Sequence, residues 1–290
     1  MEDALVVLAS LPCLAPVAKQ MLNAISYGLK RYLEPYFIAR EEKMKAKTEL
    51  DIFRTNPLRQ IQFAQEFMQN ANGMYPSEAV QEMKNTINIL LGAVNYTKDV
   101  KKEESAPKDD NKEWYARFFD EAKYISDQEL QDVWARLLAE RITNPKGINN
   151  RVLYFIRDMS KDEIETVCRA LRVFINNEFV PSGVLDDISG FSQDLVTLLS
   201  LGIVTPGASF TWSATFFKGS TMTGHGVIYD FIPVSGRSTK VQIDCYCLSP
   251  EGRVLSRLSN ENIKLEEAKL ICQILNNQWK EKIEVKSSTI

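Results

Sequence analysis

Glu113–Glu163, EWYARFFDEAKYISDQELQDVWARLLAERITNPKGINNRVLYFIRDMSKDE, decides the character of the chain. Trp114, Phe118, Phe119, Ala122 and Ile125 recur at three- and four-residue steps, as do Leu130, Val133, Trp134, Leu137, Leu138 and Ile142. Such spacing puts each set on one face of a helix. Ser126-Asp127-Gln128-Glu129 has the form of a capping box, with the Ser126 hydroxyl accepting from the Glu129 backbone and the Glu129 carboxylate returning the bond. Ser160-Lys161-Asp162-Glu163 repeats the pattern and opens a helix through Ile164, Val167, Cys168, Leu171, Phe174 and Ile175. Asn144-Pro145-Lys146-Gly147 stops the second helix, and a further one covers Arg151–Met159. Together these make a helical array with short connections. Its aromatic set is core by default, with Trp114 and Tyr115 expected to be partly exposed beside the preceding linker.

Upstream, Val17, Met21, Leu22, Ile25, Leu29, Tyr32 and Leu33 keep helical spacing until Pro35, which should end or kink the helix. Further helices are expected from Phe37 to Phe53, from Leu58 to Asn70 and from Glu78 to Tyr96. Thr97–Lys112 carries ten charges in sixteen positions and one large apolar residue, Val100, so it reads as a linker that cannot bury enough surface to order itself. Downstream the class changes. A short helix near Gly183–Ile188 and the helix Ser192–Leu201 precede three strand-like runs, Ser209–Phe217, Gly226–Ile232 and Thr239–Leu248, with turns at Lys218–Gly224 and Pro233–Ser238. Helices Pro250–Leu258 and Leu265–Trp279 and an edge strand Lys282–Lys286 close the chain. The expected fold is mainly α with a smaller α+β part. Residues 1–96 form a helical arm, 97–112 a charged linker, 113–178 a helical core, and 179–290 a winged-helix-like three-stranded module.

The composition narrows the chemistry. The 290 residues hold 35 Lys and Arg against 38 Asp and Glu, a net charge of -3, and one histidine. One histidine excludes multi-histidine metal sites. Residues 1–110, 111–160 and 161–290 carry net charges of -1, 0 and -2, so no segment has the basic excess that usually supplies nucleic-acid affinity. The helix Ser192–Leu201, which would enter a DNA groove in a winged-helix protein, has Asp194 and no Lys or Arg. His225 lies between Gly224 and Gly226, which reads as a solvent-exposed hairpin loop. No phosphate-binding loop, dinucleotide fingerprint or nucleophile elbow is present. Five scattered cysteines, Cys13, Cys168, Cys245, Cys247 and Cys272, read as reduced buried thiols of a cytoplasmic protein, with Cys245 and Cys247 on one strand face. The expectation is a protein without catalytic residues, cofactor or metal.

Ala4–Ala18 is apolar but follows Glu2 and Asp3 rather than basic residues, and it is shorter than the roughly 20 residues of a membrane span. Burial, or cover by a partner, is the simplest reading. A membrane-surface contact through residues 4–33 is the sharper one.

Trp114, Arg117, Phe118, Phe119, Ser126, Glu129, Leu130, Trp134 and Leu138 carry a family resemblance. The run W-x-x-RFF-x-x-A, then S-D-x-E-L-Q-x-x-W-A-x-L-L-A-x-E, resembles a bacterial domain-of-unknown-function family similar to the Abi-alpha (abortive-infection alpha) proteins. The chain departs from that pattern at Arg141 and at Pro145-Lys146-Gly147. The resemblance implies a structural role for these residues and a link to phage defence through a protein partner or self-association. Nucleic acid and membrane are the alternatives from other classes.

Overall fold

A computed structural model describes residues 16–41, 47–69, 75–97, 111–145, 147–185, 188, 190–205 and 210–289. The apolar segment before Pro16, and the linker from 98 to 110, lie outside the described residues. The chain divides into two compact units, Met1–Leu153 and Tyr154–Ile290. Eleven α-helices and two antiparallel three-stranded sheets are found among the described residues, so the protein is mainly α with a smaller α+β part.

The first unit holds α1 (Pro16–Glu41), α2 (Lys47–Thr55), α3 (Pro57–Gln69), α4 (Ser77–Thr97), α5 (Lys112–Ala122) and α6 (Gln128–Thr143). It ends inside α7 (Asn150–Asp158). α1 does not end at Pro35 but runs through it. Proline removes one backbone donor, but Leu29, Leu33 and Phe37 on either side are fully buried, and packing outweighs the local break. Phe37 stacks on Phe53 at 4.4 Å, and Phe63 meets both edge-on. Two glycines permit close helix approach. A Cβ on Gly28 of α1 would lie 2.5 Å from the Phe119 ring, and one on Gly92 of α4 would lie 2.7 Å from the Ala135 Cβ of α6.

The second unit continues α7 and adds α8 (Lys161–Leu171), β1 (Phe179–Pro181), a 3₁₀ turn (Ser182–Leu185) and α9 (Phe191–Ser200). After these come β2 (Phe210–Phe216), β3 (Ser220–Gly224), β4 (Val227–Pro233), β5 (Thr239–Cys247), α10 (Pro250–Leu258), α11 (Leu265–Gln278) and β6 (Ile283–Thr289). The single three-stranded module becomes two sheets, ordered β1-β5-β2 and β3-β4-β6. The segment read as a turn, Lys218–Gly224, supplies β3, whose Ser220-Thr221-Met222-Thr223 pairs with β4 from Phe231 to Ile228. β2 skips β4 and pairs with β5, Phe216 opposite Thr239, so β3 and β4 form a hairpin inserted between the strands of another. Alternation fixes the faces. Val227, Tyr229, Phe231 and Pro233 of β4 point inward, as do Val241, Ile243 and Cys245 of β5. Asn276 on α11 locks β6, donating to the Val285 carbonyl at 3.0 Å and accepting from its N–H at 2.7 Å.

Candidate functional site

In the first unit the sequence-predicted residues separate into two groups. Trp114, Phe118, Phe119, Trp134 and Leu138 come together in the core. Trp114 stacks on Phe118 at 5.1 Å, and Phe118 meets Phe119 and Trp134 at 5.2 Å each. Trp114 and Tyr115 are both buried rather than partly exposed, because α5 turns that side of the helix into the unit. Arg117 is exposed and pairs with Glu113 at 2.7 Å. Leu130 is half-buried; Ser126 and Glu129 are exposed. The capping box expected at Ser126 is replaced by Asp127, whose carboxylate accepts from the Glu129 and Leu130 N–H groups at 3.0 and 3.1 Å. Asp127 carries both a capping oxygen and a charge that suits the helix N-terminus. At Ser160 the box forms as expected, with Glu163 returning the bond to the Ser160 N–H at 2.7 Å.

Arg141, where the chain departs from the family pattern, is the residue that sequence reading passed over. It is buried, donates to the Pro145 and Ile148 carbonyls, and lies over the Trp114 ring at 5.2 Å. A cation closing a helix C-terminus over an aromatic face binds the turn to the core. An arginine four residues before the Pro145 turn was the available signal.

The second unit places the lone histidine where a catalytic base could be sought. Gly224 pairs with Val227, leaving His225 and Gly226 as a two-residue hairpin turn with φ of 43° and 86°. Positive φ at both positions is the geometry that matches strand twist in such turns. His225 is half-buried, not solvent-exposed. Its Nε2 lies 3.0 Å from the Ser256 Oγ on α10, which donates to the Asn177 Oδ1 at 2.9 Å. The His225 carbonyl accepts from the Ile263 N–H at 3.0 Å. Burial pushes the imidazole pKa below its ordinary value, against an opposing backbone bond to Glu261. A serine on a histidine resembles a nucleophile and its base, but Ser256 is only 1% exposed. Its hydroxyl has no path to a substrate. The cluster pins the β3–β4 turn to α10 and to the turn after α8, where Asn176 and Asn177 also take positive φ. Partners 31 and 79 residues apart left no sequence signal.

Cys245 and Cys247 share a face of β5, as expected, with sulfurs 3.6 Å apart. Burial, reinforced by Cys247, pushes the Cys245 thiol up to about 12, so it is a poor thiolate source. Cys13 lies outside the described residues. No group of three or more His, Cys, Asp or Glu that could hold a metal occurs among the described residues. On α9, Asp194 is buried and takes both guanidinium nitrogens of Arg169, at 3.0 and 2.7 Å. That leaves Ser192, Gln193, Val196, Thr197 and Ser200 on the outer side, an uncharged face with Val196 57% exposed.

The helices from α4 to the start of α9 are the part of the chain that is similar to a known family. Residues 75–193 match the family described as protein of unknown function, DUF2806. The DUF2806 segment contains every motif residue named above, from Trp114 to Leu138, and stops short of the strands β2 to β6. Nothing in the match is specific to the abortive-infection proteins. No curated protein and no solved structure matches the chain. Among the described residues, no helix is long and apolar enough to cross a membrane.

Proposed function

We infer that the protein works by binding a protein partner rather than by catalysis, with the outer face of α9 as a contact surface. One observation carries the reading. The only acidic side chain of α9 is consumed by Arg169, and the exposed face that remains is uncharged and centred on Val196. Such a face suits the desolvated centre of a protein interface, where charged residues are scarce. The internal bonding of His225 and Ser256 supports the absence of a catalytic role.

A second reading, nucleic-acid binding by a winged-helix-like module, draws support from connectivity. α8, β1, α9 and the β2/β5 hairpin follow one another, with β5 returning between β1 and β2. The surface of α9 argues against it, since groove contacts draw on Arg, Lys, Asn or Gln and Gln193 is the sole such residue on the exposed face. The fold adds nothing to the phage-defence role implied by the resemblance. The deciding experiment pairs two measurements on the full chain. Association, with itself or with a co-purifying protein, is expected to be lost in Val196→Glu and kept in Lys286→Glu. Duplex DNA affinity is expected to be weak, and a steep fall with salt would favour the second reading.

A further inference from the structure

The strand connections bring three loops to one end of the second unit. β2 ends where β5 begins, Phe216 opposite Thr239; β3 begins near the end of β4, Ser220 opposite Phe231; and β4 ends where β6 begins, Pro233 opposite Ile283. Phe216 stacks on Phe231 at 4.3 Å and 3°, with Trp279 against both, so the two sheet ends lie side by side. The connections at that end are therefore Phe217–Gly219, Val234–Ser238 and Trp279–Lys282.

These connections expose apolar groups and cations together. Phe217 and Val234 are each 60% exposed, and Ile232 is 39% exposed. Lys218, Arg237, Lys240, Lys280 and Lys282 are exposed and take part in none of the salt bridges among the described residues. The carboxylates nearby are Glu281 and Glu284, and Glu284 is held by Lys286 at 3.1 Å. In a chain of net charge -3 this end is locally basic. The loops are also braced. Phe217 and Ser220 exchange two hydrogen bonds, Gly236 donates to the Pro233 carbonyl, and Val234 donates to the Lys282 carbonyl. A braced loop loses little freedom on docking.

We propose that this end binds an anionic lipid surface, with Phe217 and Val234 entering the interface and the five cations meeting the headgroups. An apolar tip ringed by unpaired cations is complementary to hydrocarbon beneath negative charge. A DNA duplex would meet the cations but leave Phe217 and Val234 without an apolar partner. The duplex exterior is lined by phosphates and sugars, with no hydrocarbon layer for Phe217 and Val234 to enter. This surface does not depend on the α9 reading.

The test is co-sedimentation of the full chain with vesicles of phosphatidylcholine alone or mixed with phosphatidylserine. Binding is expected to the mixed vesicles only, weakening as salt rises. Phe217→Ser should lower partitioning about tenfold through lost apolar burial. Lys218→Ala and Arg237→Ala should each lower it about fivefold. Leu265→Ser, which removes an exposed leucine at the start of α11, should change nothing. Failure to bind mixed vesicles overturns the proposal. So does binding that survives Phe217→Ser with Val234→Ser, which would place the contact elsewhere in the chain. Capture of duplex DNA with vesicles ignored overturns it in favour of a phosphate-binding surface.

Discussion

Each unit has a nearly buried arginine, and the two differ in reach, because Arg172 adds a distant carboxylate to a local bond with the Arg169 carbonyl. Arg141 in the first unit bonds carbonyls four and seven residues away, closing the turn that follows its own helix. Arg172 in the second unit reaches Glu267, 95 residues on, through a two-pronged pair at 2.7 and 3.1 Å. The first device completes a local unit that the aromatic core already holds. The second ties the end of α8 to α11 and so closes the chain around the two sheets. The Pro145 and Ile148 carbonyls are main-chain acceptors, which no substitution can alter to suit the loss of Arg141. A long-range pair can be replaced whole.

That difference predicts the largest effect. Arg141→Met leaves the Pro145 and Ile148 carbonyls short of a donor and removes the cation from the Trp114 face, and should cost about 3–5 kcal/mol. No second substitution should restore it. Arg172→Met should cost about 2–3 kcal/mol, since Glu267 is left with its backbone bond from Lys264 and can take a proton. Adding Glu267→Leu should recover much of that loss. Urea unfolding of the three variants measures both. Recovery of Arg141→Met by a neighbouring change, or none of Arg172→Met by Glu267→Leu, would break the comparison.

The same contrast explains what could be read from the chain. The helices of the first unit, the Ser160 box and the fall of Trp114, Phe118, Trp134 and Leu138 on buried faces follow from three- and four-residue spacing, which is local. The strands β2, β4, β5 and β6 were legible one at a time from β-branched and aromatic residues, while the short β1 and the turn-like β3 were not. Their pairing was not, because β2 passes over β4 to reach β5, and nothing in Ser209–Phe217 distinguishes one partner strand from the other. The environment of His225 was illegible for the same reason. Glycines on both sides describe a turn correctly, but Ser256 and Asn177 decide whether the turn faces water.

Acid separates the long-range devices further. Burial opposes ionisation of Glu267, yet the bonds from Arg172 and the Lys264 N–H outweigh it and hold the carboxyl below its ordinary 4.5. Its stabilisation is complete above that value and is lost as pH falls through the folded one. His225 has the same sign by another route. Burial lowers its pKa from 6.5, so below 6.5 the unfolded chain takes a proton that the folded one resists. Stability should therefore decline in two windows, below pH 6.5 and again below 4.5. His225→Gln should flatten the upper one and cost about 1–2 kcal/mol at neutral pH from the lost Ser256 bond. Arg172→Met with Glu267→Leu should flatten only the lower. A profile that His225→Gln leaves unaltered between pH 7 and the lower window would show that the imidazole is solvated.

The smallest expected effect tests where a local device sits. The capping-box pattern begins α6 at Ser126, whereas the helix is capped by the next residue, Asp127. The extended backbone of Asp127, with φ of -70° and ψ of 131°, aims its carboxylate at the first N–H groups of the helix. Asp127→Ala should thus cost about 1 kcal/mol, and Ser126→Ala should stay within about 0.5 kcal/mol of the wild type. Asp127→Asn keeps the capping oxygen and drops the charge, so it should fall between them and lose its difference from wild type at high salt, where the helix-end charge is screened. Hydrogen exchange at Glu129 and Leu130 reads the same outcome residue by residue. Faster exchange at both in Asp127→Ala, and unchanged exchange in Ser126→Ala, would fix the start of the helix one residue later than the capping-box pattern places it.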